Sequence, residues 1–205
     1  LLQETFTAHQ RIIFNGNGYD DAWVAEAARR GLANLRDTVD CMPAYIDKKN
    51  IDLFTKHAVL TETEMRARYE IHLENYCKVT AIEAHTLLDM VTRCILPAAG
   101  KYADSLAQTL FHKKNCGISL PTVMEERTLT RVSEQSAALF RICEDLQTAL
   151  HNAPAADGGI DVARWYRAEI AARTQQAGEL INQLETIVDA ACWPYPTYAD
   201  ILFSV

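Results

Sequence analysis

The chain has 205 residues, of which 49% are apolar and 23% are charged, and its formal net charge at pH 7 is −7. Acidic and basic residues are interspersed, whereas nucleic-acid-binding proteins concentrate Lys and Arg, so nucleic acid is excluded as a partner. No apolar run approaches the roughly 18 to 20 residues that cross a bilayer, so we expect a soluble protein without membrane contacts.

The six cysteines lie far apart and form no Cys-x-x-Cys pair. That spacing does not suit a zinc site, and it is typical of small buried side chains in a reducing compartment. We therefore expect free thiols and a cytoplasmic protein. The chain also opens at Leu1 without an initiator Met or a signal sequence, which suggests a piece of a longer protein.

The sequence pattern divides the chain into three regions. Residues 1–60 are irregular, with short helices and one strand-like run. Residues 61–192 carry long helical periodicity, and residues 193–205 form an aromatic, proline-containing tail.

Within the first region, the run Arg11–Phe14 has the composition of a short strand, and Asn15–Gly18 predicts a turn. Asp20 is expected to cap a helix that ends at Gly31. Cys41–Pro43 predicts another break, after which Asp47 is expected to begin a further helix.

Three long helices are predicted in the second region. Thr61 and Glu64 form a capping box that opens the first helix, which runs to about Lys114 with a kink at Pro97. A second capping box, Thr122 with Glu125, opens the next.

Apolar residues continue at steps of three and four along the second and third helices, as in helices packed side by side. The seam positions are Leu129, Val132, Ser136, Leu139, Cys143, Leu146 and Leu150, then Tyr166, Ile170, Arg173, Ala177, Leu180, Leu184, Ile187 and Ala191. Asp161 is expected to cap the third helix, which stops at Pro194. Short connections predict an all-α fold, a long antiparallel bundle whose first helix is kinked.

One seam position, Arg173, is unexpected in an apolar stripe. Its side chain either snorkels at the bundle edge or pairs with a carboxylate on a neighbouring helix.

The tail cannot be helical through Pro194 and Pro196. It docks either on its own bundle or on a neighbouring domain or subunit, where Trp and Tyr are favoured anchors. The interface candidates are Trp193, Tyr195, Tyr198, Ile201, Leu202 and Phe203.

No residue pattern predicts chemistry in this chain. Asn15–Gly18 lacks the Lys-Ser/Thr of a phosphate-binding loop, so it is interpreted as a plain turn. Glu83, His85 and Asp89 lie close together on one helix, but the Glu-x-x-His spacing of metal-binding bundles is missing. The sequence therefore predicts no catalytic residue, no cofactor-binding residue and no metal-binding residue.

A series of segments carries a resemblance to a known family. They are Arg11–Tyr19 with Trp23, Glu26–Leu32 with Asn34-Leu35, Leu53-Phe54 with Lys56-His57, Arg68–Ile71, Leu73–Tyr76 with Lys78, Ile82–Ala84, Asp89-Met90, Ile95–Ala98, Tyr166-Arg167 and Trp193–Tyr198. In this order they resemble the C-terminal part of type III glutamine synthetase, the long-chain bacterial enzyme of nitrogen assimilation. Residues 115–165 add little beyond helical periodicity.

The resemblance implies a parent glutamate–ammonia ligase that uses ATP and a divalent metal, Mg or Mn, and assembles as stacked rings in a dodecamer. In that family the glutamate, metal and nucleotide sites belong to the preceding region, and no segment here matches them. The chain alone is therefore expected to be inactive.

These expectations favour a helical domain for assembly and bracing, whose partners are its own catalytic domain and other subunits. Two alternatives stay open. One is that Asn15–Tyr19 contributes directly to the mouth of the active site, and the other is a stand-alone helical interaction domain.

Overall fold

The computed structural model describes residues 1–10 and 13–202, and within them every regular element is helical. Two compact units are present, Leu1–Arg66 and Ala67–Val205. The helices are α1 Leu2–Ala8, α2 Asp21–Arg29, α3 Thr38–Tyr45, α4 Lys48–Lys56, α5 Glu62–Met90, α6 Leu96–Asn115, α7 Val123–His151, α8 Gly159–Tyr166, α9 Ala172–Glu185 and α10 Tyr198–Leu202. No helix in the described part is long and apolar enough to cross a membrane.

Helix α2 begins and ends where the sequence predicts. The Asp20 carboxylate accepts a hydrogen bond from the Ala22 backbone N–H at 3.1 Å, and Gly31 adopts a φ of +74° just beyond the helix. Of the run Arg11–Phe14, which was predicted to resemble a strand, the structure describes Ile13 and Phe14. Neither residue belongs to a regular element. Arg11 and Ile12 lie outside the described residues.

The break predicted at Cys41–Pro43 is wrong, because these residues lie inside α3. The Asp37 carboxylate caps this helix by accepting from the Asp40 N–H at 2.8 Å, and Val39 and Met42 are buried. Capping and burial together maintain the helix through Pro43, whose missing N–H costs one hydrogen bond. Helix α4 follows Asp47 as predicted, although the Asp47 side chain makes no capping bond.

The first long helix follows its prediction closely. Thr61 and Glu64 form the capping box, with the Thr61 N–H donating to Glu64 Oε2 at 2.8 Å and the Glu64 N–H to Thr61 Oγ1 at 3.2 Å. Helical structure continues to Asn115, interrupted by a π-helical turn at Val91–Ile95. Pro97 cannot donate to the carbonyl four residues earlier, and the wider turn before it accommodates that loss.

The second capping box is wrong. Thr122 precedes α7, but its side chain makes no capping bond and its hydroxyl instead hydrogen-bonds Glu126 Oε1 at 3.1 Å. Glu125 is only 2% exposed and accepts from Lys113 Nζ of α6 at 2.5 Å. An ion pair across the α6–α7 connection therefore replaces the expected local cap.

The third long helix differs from its prediction at both ends and in the middle. It begins at Gly159, so Asp161 lies inside the first turn, paired with Arg164. A π-helical turn, Arg167–Ala171, separates α8 from α9, and α9 ends at Glu185, well before Pro194. Arg173 pairs with Glu169 of its own helical segment at 2.7 Å, not with a neighbouring helix.

In the second unit α7 packs against both α6 and α9, and a buried hydrophobic cluster joins these helices. Its buried members are Val91, Ile95, Ala99, Val132, Leu139, Cys143, Ala177, Leu184, Val188 and Trp193. The seam of α7 predicted from the sequence supplies Val132, Leu139 and Cys143 to this core. The prediction of an antiparallel helical bundle is therefore confirmed.

Candidate functional site

The C-terminal tail divides into an inner and an outer part. Trp193 is 9% exposed and lies in the core of the bundle, with Tyr195 packed against the same cluster. A turn at Asp189 redirects the chain, since the Asp189 carboxylate accepts from the Ala191 N–H and its carbonyl accepts from the Trp193 N–H at 3.0 Å. Trp193 thus docks on its own bundle, the first of the two possibilities for the tail.

Hydrogen-bonding interaction with the Cys94 thiol and partial burial raise the pKa of Tyr195 above its ordinary value. The inner tail therefore packs on the bundle and contributes to its core.

The outer tail ends in the short helix α10, which the sequence analysis missed. Thr197 and Asp200 form a capping box, with the Thr197 N–H donating to Asp200 Oδ2 at 2.8 Å and the Asp200 N–H to Thr197 Oγ1 at 3.2 Å. The Thr-x-x-Asp spacing was the available signal. Ile201 and Leu202 are exposed, whereas the side chain of Tyr198 and all of Phe203 lie outside the described residues.

The Asn15–Tyr19 turn is held beside a compact aromatic and ionic cluster. Phe14 stacks on Trp23 with ring centroids 4.3 Å apart, and the Arg30 guanidinium lies 5.8 Å from each ring. Arg30 also donates to the Ile13 carbonyl at 2.6 Å. Asn17 Oδ1 accepts from the Tyr19 N–H at 3.1 Å, and the Tyr19 side chain is fully exposed. The Phe14–Trp23–Arg30 cluster and the Asn17 side chain thus hold the turn, and the Tyr19 side chain projects into solvent.

Glu26 should titrate well below an ordinary glutamate. Hydrogen bonds from Arg29 and Arg30, at 2.6 and 2.5 Å, lower its pKa from 4.5 to about 2. Because the folded-state pKa is depressed, this stabilisation is present above about pH 5 and is lost as the pH falls toward 2. An NMR titration of the Glu26 carboxyl should show the low midpoint, and Arg30→Gln should raise it. A wild-type midpoint near 4.5 would contradict the ion-pair geometry.

The possible metal cluster on α5 does not converge. His85 and Asp89 line a groove of about 570 Å³ between α5 and α7, together with Glu144, Gln147 and His151, while Glu83 is exposed outside it. Asp89 pairs with Arg93 at 2.6 Å. In the described part of the chain no three His, Cys, Asp or Glu side chains come together as metal ligands.

Helix α5 carries exposed apolar side chains in addition to those on its buried face. One face buries Leu73, Cys77, Thr80 and Ala84. Four exposed apolar residues lie on the other side of the helix and are called here the α5 stripe: Ile71 (60% exposed) and Ile82 (64%), about 160° from the buried face, and Val79 (42%) and Met90 (36%), about 120° from it. The stripe is about 28 Å long. The periodicity of the buried face does not indicate Ile71, Val79 or Ile82.

These features describe an all-helical domain with a self-docked tail and exposed apolar faces. The family model for the glutamine synthetase C-terminal domain matches residues 1–114. The chain belongs to this family.

Whole-chain relatives agree with that assignment. A glutamine synthetase of Butyrivibrio fibrisolvens is 34% identical over the entire chain, which covers 29% of that protein. A type-3 glutamine synthetase of Dictyostelium discoideum is 27% identical over 99% of the chain, and a glutamine synthetase of Bacteroides fragilis (strain YCH46) is 26% identical over all of it; the chain covers 28% of each. The resemblance predicted from the sequence is confirmed, and the chain spans less than a third of the length of these relatives.

Proposed function

We propose that this chain is the helical assembly and bracing domain of a type III glutamine synthetase that forms glutamine from glutamate, ammonia and ATP. Its partners are the rest of its own subunit and other subunits of a ring-shaped enzyme, expected to be a dodecamer. The relatives support this proposal, since three glutamine synthetases match along the entire chain or nearly all of it.

The α5 stripe is the observation that carries the bracing role. Exposed apolar residues grouped on the outer side of a helix that already buries its other side indicate a surface for a further partner. One face already packs in the bundle, and the stripe is exposed. The relatives are more than three times as long as the chain, so the remainder of the subunit is the proposed occupant of the stripe.

The metal and nucleotide of the proposed reaction do not fit the described residues. No group of three ligating side chains converges there, and Asn15–Gly18 lacks a phosphate-binding motif. We assign ATP and Mg or Mn binding to the rest of the enzyme.

The described cysteines, all six free, support a reducing cytoplasmic location.

Replacing Ile82 with glutamate tests the bracing role. Because Ile82 is 64% exposed, Ile82→Glu should leave the melting of the 205-residue chain within about 1 °C. In the intact synthetase it should put a charge into an apolar contact, lower the melting temperature by several degrees and release smaller species in light scattering. Ile82→Leu is the matched control and should behave as wild type. Identical melting and mass of both intact variants would remove the stripe from the contact.

A second candidate function is a direct contribution to the mouth of the active site, favoured by the fully exposed Tyr19 on its braced turn. Asn17→Ala removes the side-chain acceptor that holds this turn. In the intact enzyme, altered turnover or Michaelis constants with normal assembly would support this function. Unchanged kinetics would eliminate it.

A further inference from the structure

The connection between α6 and α7 carries a second exposed apolar surface, called here the hairpin tip. It comprises Phe111 (65% exposed), Ile118 (66%), Leu120 (41%), Val123 (58%) and Met124 (66%). These residues fall within 14 positions at one end of the hairpin. Single exposed apolar residues are ordinary, whereas a group of this density marks an interaction site.

The backbone of the hairpin tip is held in one conformation by buried and local bonds. Lys113 Nζ donates to Glu125 Oε1 at 2.5 Å and to the Pro121 carbonyl at 3.3 Å, which ties the connection to both helices. The Cys116 thiol donates to the Lys113 carbonyl at 3.2 Å. A surface ordered in advance loses less entropy when it binds.

The charges around the hairpin tip cancel. Lys113 pairs with Glu125, and Lys114 pairs with Glu126 at 3.0 Å, which leaves no net charge over residues 111–126 with His112 neutral. The whole chain carries a charge of −7, which opposes contact between copies elsewhere. An uncharged apolar tip does not suit nucleic acid or an anionic membrane surface, both of which require a basic patch.

We propose that the hairpin tip is a two-fold contact between two copies of this chain. This proposal rests on the assembly role proposed above and assigns it a surface and a partner. In a two-fold contact the same patch meets itself, so an uncharged apolar tip is complementary to its own copy. At these exposed fractions the five residues present roughly 500 Å² per copy, so complete burial of two tips would cover roughly 1,000 Å², the least that a specific interface needs. Several such contacts in a ring would reinforce one another.

The double variant Ile118→Glu with Met124→Glu tests the contact in the intact synthetase. Both side chains are 66% exposed, so helix content and melting of the subunit should not change. Like charges facing each other in the contact should weaken association on the order of 100-fold. Light scattering at several concentrations should then show particles of half the wild-type mass. Met124→Leu, which keeps the apolar area, should assemble normally.

If the double glutamate variant has the wild-type mass at every concentration, the proposed contact between two hairpin tips is wrong, even if the tip binds some other partner. The bracing role would survive that result if Ile82→Glu still impaired the intact enzyme. The two proposals therefore fail independently.

Cross-linking provides a second test, because Cys116 is exposed at the tip. A short bis-maleimide should join two subunits through Cys116, and Cys116→Ser should abolish this product. Cys41→Ser, which removes an exposed thiol in the first unit, should not. An assembled wild-type enzyme without a Cys116-dependent product would contradict the proposal.

Discussion

Trp193→Ala is expected to lower the free energy of unfolding of the helical bundle by about 3–5 kcal/mol. The indole is 9% exposed and belongs to the same buried cluster as Leu184 and Val188. Truncation would remove its apolar contacts and leave a cavity at the end of the bundle. Equilibrium denaturation with urea, followed by circular dichroism, measures the change.

Leu202→Ala is the matched control for Trp193→Ala, because it truncates an apolar residue of the same tail that is 72% exposed. Its free energy of unfolding should stay within about 0.5 kcal/mol of wild type. Equal stability of Trp193→Ala and wild type would mean that the tail contributes nothing to the bundle in solution.

Leu139→Ala is expected to cost about 2–5 kcal/mol of unfolding free energy. Leu139 is completely buried on α7, the helix that packs against both α6 and α9, so a cavity there weakens both helix pairs. The midpoint of urea denaturation should fall while its slope is maintained, since the surface exposed on unfolding hardly changes.

The neighbouring residue provides the control for Leu139→Ala. Phe140 is larger but 51% exposed, so Phe140→Ala should cost about 1 kcal/mol or less. A greater loss at Phe140 than at Leu139 would mean that the face of α7 assigned to the core is wrong.

Periodicity predicted the bundle well because the inner faces of its helices are set by local spacing. Leu139 and Cys143 on α7 and Ala177 and Leu184 on α9 are buried as their seam positions indicate. The capping box at Thr61 could be predicted for the same reason, since Thr61 and its partner Glu64 lie within four residues of each other.

Features that depend on contacts between residues distant in the sequence could not be predicted from local patterns. Glu125 has the spacing of a cap but bonds to Lys113 across the hairpin, a contact that the sequence of α7 alone does not show. The π-turn at Arg167–Ala171 contains neither proline nor glycine to signal it. Trp193 reaches the core after α9 has ended at Glu185 and a turn at Asp189 has redirected the chain.

The candidate surfaces were only partly predictable. Of the tail candidates, Trp193 and Tyr195 pack inward and Ile201 and Leu202 remain exposed, a division set by the turn and not by hydrophobicity. The hairpin tip was overlooked because apolar residues near a proline resemble an ordinary connection.

The π-turn at Val91–Ile95 also has an evolutionary consequence. Buried positions pass through it at four-residue steps, Val91 to Ile95 to Ala99, which a wider turn accommodates better than an α-helical one. A turn of this kind is equivalent to one residue inserted into an α-helix. Relatives that differ in length by one residue here can keep both flanking helices in phase with the same core, so a gap in this segment would record a change of helical turn and not a change of fold.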